Sequence, residues 1–255
     1  MSDTGTELVN ATISDAETGV TVKSTQSGTY SDIEIINCTT GVNCNSATNI
    51  TIEKFRFKRC STAVSLLNSN NITVSECTFI EPQYGIVSDG NNGLNVSGNN
   101  FLNYSITAIK SNESSGAVSF TNNLFVSSAA RAIDITGIAT LIEYNTFDTP
   151  YAISIANETP SIRKNLILAS SSVFGTGMLG IEYKYAYTTP VFGPNNIYGF
   201  GENAYSGCNA SEDSTNSNVV LMKSINAEPF DYRLRVDYPS SEDPWGIKRN
   251  YIVSY

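Results

Sequence analysis

Two rows of side chains suited to binding or cleaving a sugar recur along the sequence at intervals of 20 to 24 residues. One runs Thr62, Tyr84, Thr107, Arg131 and Tyr151; the other, three positions later, runs Ser65, Val87, Lys110, Asp134 and Ser154. If each interval is one turn of a repeating body, Tyr84, Lys110, Arg131, Asp134 and Tyr151 fall within a patch a few turns tall, with Asp89 at its edge. Aromatic rings beside cations and a carboxylate suit a saccharide groove. Ring faces take the apolar side of a pyranose, and fixed donors take hydroxyls or a uronate. In a catalytic reading, Lys110 or Arg131 takes a proton or neutralises the uronate, with Asp134 beside them. Read instead as surface ion pairs, the same charges contribute little.

A third set lies on Ile181–Tyr187, which alternates at period two and puts Tyr183, Tyr185 and Tyr187 on one strand face. That face is either a carbohydrate platform or a packing surface for an inserted loop. Glu143, Glu182 and Asp148 stand without a visible partner. The row Glu34, Thr51, Thr73, Asn95, Ser119, Leu141 and Ser161 is nearly devoid of carboxylates, which suits two-carboxylate glycoside hydrolysis poorly. The chain has no His, which excludes a zinc centre of the usual kind and a Cys/His nucleophile.

The elements that must position these residues are repetitive. Phe57, Phe79, Phe101, Phe125, Phe147 and Ile167 follow one another at 22, 22, 24, 22 and 20 residues. Ile50, Ile72, Leu94 and Val118 precede that column by seven residues, and Asn99, Asn123, Asn145 and Asn165 by two. A second apolar pair follows in each repeat, at Val64, Ile86, Ile109, Ile133 and Ile153, each after Ala or Gly. One repeat is therefore a few short strands joined by turns, too thin to bury a core alone, so the repeats must stack as a solenoid.

The repeat length, the Asn-x-Phe turn and the inward aliphatic columns resemble the right-handed parallel β-helix of the pectin-lyase-like superfamily, over roughly residues 11 to 198. The resemblance implies an all-β, single-stranded right-handed parallel β-helix of about eight coils with an irregular C-terminal cap. It also implies polysaccharide as the partner, with three open readings. One is a surface protein that binds polysaccharide along a lateral groove. Another is a lyase or glycoside hydrolase, with Ca²⁺ entering only for a lyase. The last is a structural or adhesive module with no catalytic site and with scope for homo-oligomers. The run Asn195-Asn196-Ile197-Tyr198, followed by a polar loop, Asp231-Tyr232-Arg233-Leu234 and Pro239-Ser240, is similar to the C-terminal end of bacterial and archaeal cell-surface β-helix proteins.

Net charge is −9 and no Lys/Arg cluster exists, so a nucleic-acid partner is not expected. No apolar run approaches the ~18 residues a membrane span needs. Met1-Ser2-Asp3-Thr4 opens polar, so the expected extracellular or cell-surface location takes the export signal as removed. Nine Asn-x-Ser/Thr sequons give weak support to that location.

Five cysteines read as small core hydrophobes rather than a disulfide framework. Cys38 and Cys77 are expected to share the column of Phe55, two coils apart, and Cys44 that of Val22 and Leu66. The second coil is expected to be short, because Ile33 to Ile50 spans only 17 residues. The whole chain, 1–255, reads as one domain: coils over 9–200, then a loop and cap over 201–255.

Overall fold

The computed structural model describes residues 10–210, except 25, 114, 138–139, 158–159, 170–176 and 185–188 and the side chain of Asn157. Most of the expected C-terminal loop and cap, with the Asp231–Leu234 and Pro239-Ser240 motifs, and Tyr185 and Tyr187 lie outside the described residues.

Inward alternation of the apolar columns folds the chain into about eight coils of parallel strands. Sheet A has nine three-residue strands, from Thr12–Ser14 to Asn196–Tyr198. Sheet B has nine, from Thr18–Val22 to Tyr205–Ser206, and sheet C seven, from Gly28–Ser31 to Ser161–Arg163. The described residues contain no α-helix and only one 3-10 turn, Gly201–Ala204.

Sheet A carries the aromatic column inside the shaft. Phe57, Phe79, Phe101, Phe125 and Phe147 are fully buried, and their rings stack at 5.0, 4.4, 4.9 and 4.8 Å within 14° of parallel. That spacing is the separation of hydrogen-bonded strands, about 4.8 Å, so ring contact and backbone pairing reinforce one register. A slip of one residue would turn every ring outward.

The corner before sheet A explains the asparagine column. Lys54, Glu76, Gly98, Asn122, Tyr144 and Lys164 each take a left-handed φ, which turns the next side chain inward. From Asn99 onward that side chain is Asn. The Asn123 side-chain oxygen accepts from the Asn99 backbone N–H and side-chain amide, both at 3.0 Å, and Asn145 and Asn165 repeat the arrangement on the rungs that follow. Each amide also donates to a backbone carbonyl, Asn123 to Val96 at 2.9 Å. The buried amides of this column are thus satisfied by their own repeats, which removes the penalty of placing them in the core.

A second inward polar ladder turns the corner from sheet B to sheet C. The Ser69 backbone N–H donates to the Asn91 side-chain oxygen at 2.5 Å, and the Asn91 N–H to the Glu113 carboxylate at 2.7 Å. Glu113 is buried and also accepts from the Ser88 and Ser111 hydroxyls.

Two register expectations change. The second coil is full length: Ile35 pairs with Ile13 and Phe57 in sheet A, and Gly28–Ser31 supplies the strand beside Thr48–Glu53. Tyr30, not an aliphatic residue, stands opposite Ile52, which hid that strand from an aliphatic pattern. Glu34 therefore lies beside Arg56 on sheet A, 3.3 Å away, and Thr29 takes its place in the row of Thr51. Cys77 does follow Phe55, but Cys38 lines up with Cys60 instead, between the paired stretches Ile36–Lys58 and Thr40–Thr62. All five cysteines are buried and free, with Cys44 between Val22 and Leu66 as expected.

Candidate functional site

On sheet B the small residue before each inward isoleucine sets the geometry. A Cβ on Gly85 would lie 2.8 Å from the Phe101 ring and closer still to the Ala108 carbonyl. Gly85 is therefore required on its own rung, the column elsewhere holds only small residues, among them Ala63, Ala108, Ala132 and Ala152, and the side chain before each turns outward. Tyr84, Thr107, Arg131, Tyr151 and Leu179 consequently form one outer row in consecutive register. Val87, Lys110, Asp134, Ser154, Glu182 and Ser206 form the next.

The sheet brings together part of the set that the sequence suggested. Arg131 stands directly beside Tyr151, and Lys110 directly beside Asp134. Tyr84 is on the same row but three rungs from Tyr151, about 14 Å along the axis. Asp89 belongs to a third row at the strand end. Its carboxylate accepts from the Asn112 amide at 2.9 Å, and Asn112 accepts from the Thr136 hydroxyl at 2.9 Å. Tyr183 does not face a ligand: it pairs with Ile155, is 5% exposed, and meets Phe192 edge-on at 5.9 Å. Over Leu179–Tyr183 the alternation holds, with Ile181 and Tyr183 on the core side and Glu182 outward.

Glu182 is the residue that sequence reasoning left aside. Its carboxylate lies 3.1 Å from Arg131 Nη1 and 3.3 Å from Lys184 Nζ. Asp134 lies 3.8 Å from the same Arg131 nitrogen. Burial raises the Glu182 pKa, but the Ser154 hydroxyl, Lys184 and Arg131 together outweigh it and hold the carboxyl below its ordinary value. Gly180-Ile181 repeats the small-then-aliphatic pair 28 residues after Ala152-Ile153, and this was the signal that aligned Glu182 with Asp134 and Ser154. Glu143 is likewise paired, with Arg163 of the neighbouring strand.

Chemically, the result is a cluster of two carboxylates, a guanidinium and an ammonium, flanked by Tyr151 and an exposed Lys110. Lys110 makes no ion pair among the described residues. Arg131 is committed to two carboxylates, so it is a fixed donor and positive centre rather than a proton acceptor. Among the described residues, no group of three Asp, Glu or Cys gathers to hold a metal ion. No helix there is long and apolar enough to cross a membrane.

No curated protein and no solved structure matches the chain. A family model does, that of the right-handed β-helix region, over residues 1–147 of 255. The match spans more than half the chain and ends where the Phe147 rung completes the aromatic stack, and the parallel coils agree with it. The chain belongs to the right-handed β-helix family.

Proposed function

We propose that this protein is an extracellular or cell-surface β-helix protein that binds polysaccharide across the outer face of sheet B. The observation that supports it best is the Arg131–Glu182–Lys184 cluster with Tyr151 in register beside Arg131. The ring offers a flat apolar face to a sugar, and the cluster offers donors and acceptors whose orientation is already fixed before a hydroxyl arrives. Tyr84 and Lys110 extend the face along the axis, as a chain-like ligand requires.

Glycan-array binding tests this, followed by isothermal titration of any hit with Tyr151→Ala, Tyr84→Ala and Glu182→Gln. Binding should fall at least tenfold in Tyr151→Ala and by less in Tyr84→Ala, at unchanged thermal stability. Silence across the array removes the reading.

Cleavage is the second reading, favoured by one observation: Asp134 and Glu182 approach the same Arg131 nitrogen, so two carboxylates lie close together. Lys110, Arg131 and Asp134 then serve as the catalytic set. Against this, Glu182 sits below its ordinary pKa, the opposite of what a general acid needs. A polysaccharide panel with and without Ca²⁺ decides it. Unsaturated uronates or new reducing ends support the reading, and none across the panel removes it.

A further inference from the structure

Cys38 and Cys60 occupy one inward column at the corner between sheets A and B. The register is the same on both sides of them, Ile36 with Lys58 and Thr40 with Thr62, so the two lie in line on adjacent rungs. The Ser61 N–H donates to the Cys38 carbonyl at 3.1 Å and closes the rungs together at this corner. Cys38 Sγ donates to the Ile36 carbonyl at 3.5 Å. Cys60 Sγ lies 3.8 Å from the Lys58 carbonyl and 3.8 Å from the Ile35 carbonyl, and Ile35 is on the rung of Cys38. The Cys60 sulfur therefore leans toward its neighbour. Burial pushes the Cys60 thiol up, the Cys38 backbone N–H works against that, and a negative charge on Cys38 adds to it. The two residues thus act on one another directly.

The other cysteines are placed differently. Cys44 stands between Val22 and Leu66. Cys77 stands between Phe55 and Asn99. Cys208 lies beyond Tyr205–Ser206, toward the far end of the shaft.

We propose that Cys38 and Cys60 close as a disulfide between adjacent rungs when the reduced chain meets a small-molecule disulfide such as oxidised glutathione. Cα atoms in register on neighbouring strands are about 4.8 Å apart, inside the roughly 4.4–6.8 Å that a disulfide spans. The thiolate of one cysteine attacks the oxidant, forms a mixed disulfide and releases one glutathione thiol. The thiolate of the other then displaces the second glutathione. Two electrons and two protons pass from the protein to the oxidant, one S–S bond forms and one breaks.

The bridge falls where the other cross-rung contacts of the shaft run out. The ring stack starts at Phe57, with Ile35 as its neighbour on the rung of Cys38, and the asparagine ladder starts only at Asn99. Closing the pair ties the rung of Ile35 covalently to the first rung of the stack.

Incubation of the reduced full chain with oxidised glutathione tests this, once on the folded protein and once during refolding from urea. The second arm exposes thiols that burial shields in the first. Thiols counted in denaturant should fall from five to three, with the intact mass lower by two hydrogens and Cys38 joined to Cys60 in the peptide map. Cys38→Ser and Cys60→Ser should each keep their four remaining thiols, whereas Cys44→Ser should fall from four to two. A Cys38–Cys60 bridge in either arm supports the proposal. Five thiols left in both arms overturn it. So does a bridge that joins other cysteines in its place, or glutathione held on Cys38 or Cys60 while the other thiol stays free.

Discussion

The inner columns and the outer rows of sheet B arise from the same coils, yet repetition acts on them differently. Inside, each rung restates its neighbour, Phe on Phe and Asn on Asn, so the rings and amides of these two columns find their partners in their own equivalents. Outside, Tyr84, Thr107, Arg131 and Tyr151 follow one another without restating anything, and Arg131 finds Glu182 two rungs away. The contrast separates shaft from surface. Substitution inside breaks contacts on both adjoining rungs; substitution outside changes the side chains presented to solvent and leaves the shaft standing.

Phe101→Ala should break the inside most severely. It removes the middle ring of the stack, leaves a cavity between Phe79 and Phe125, and should cost about 3–5 kcal/mol in urea unfolding. An equal denaturant midpoint to the unaltered protein would contradict the stacked core.

Asn123→Ala comes next. It strands the Asn99 N–H and the Val96 carbonyl in the interior, and should cost about 1–3 kcal/mol for each group left unpaired. The same measurement checks it, and a neutral outcome would mean that water replaces the amide.

On the outer row the effects shrink. Glu182→Gln should lower stability by about 1 kcal/mol at pH 7, since its ion pairs are partly exposed. The pH dependence has a definite sign. The folded carboxyl titrates below its ordinary value, so its contribution is fully present above about 4.5 and fades as pH falls through the depressed value. The variant should therefore lose less stability than the parent on acidification from pH 5 to pH 3. A parallel fall in both would dissolve the cluster.

The smallest effect is kinetic. Burial pushes the Cys44 and Cys77 thiols up to about 12 and Cys208 up to about 11. At pH 8 iodoacetamide should hardly label these three in the folded protein, and should label all five cysteines in denaturant. Rapid labelling of the folded chain would place a thiol at the surface.

The fold was legible because the interior repeats. A period near 22 and an aromatic column demand stacked rungs, and the rings lie one above another as that demands. Legibility failed where a rung departs from the pattern. Tyr30 replaces an aliphatic residue, which made the second coil look short, and Cys38 was placed one column away from its true neighbour Cys60. The site was half legible for the same reason. Arg131, Asp134 and Tyr151 sit on clean coils and could be aligned, whereas Glu182 and Tyr183 follow a longer coil in which strand parity was lost. From sequence Glu182 shows no partner and the Tyr183 face reads as either platform or packing surface; the structure pairs the first with Arg131 and packs the second against Phe192. Their placement depends on which side of Gly180 turns inward, a packing constraint imposed by Ala204 on the next rung.

The most direct test of the division between shaft and face is the binding isotherm of Tyr151→Ala with an array-identified oligosaccharide, measured alongside its melting temperature. The account predicts binding at least tenfold weaker with melting unchanged. Equal affinity in the variant, or a loss of affinity matched by a fall in melting temperature, would contradict it.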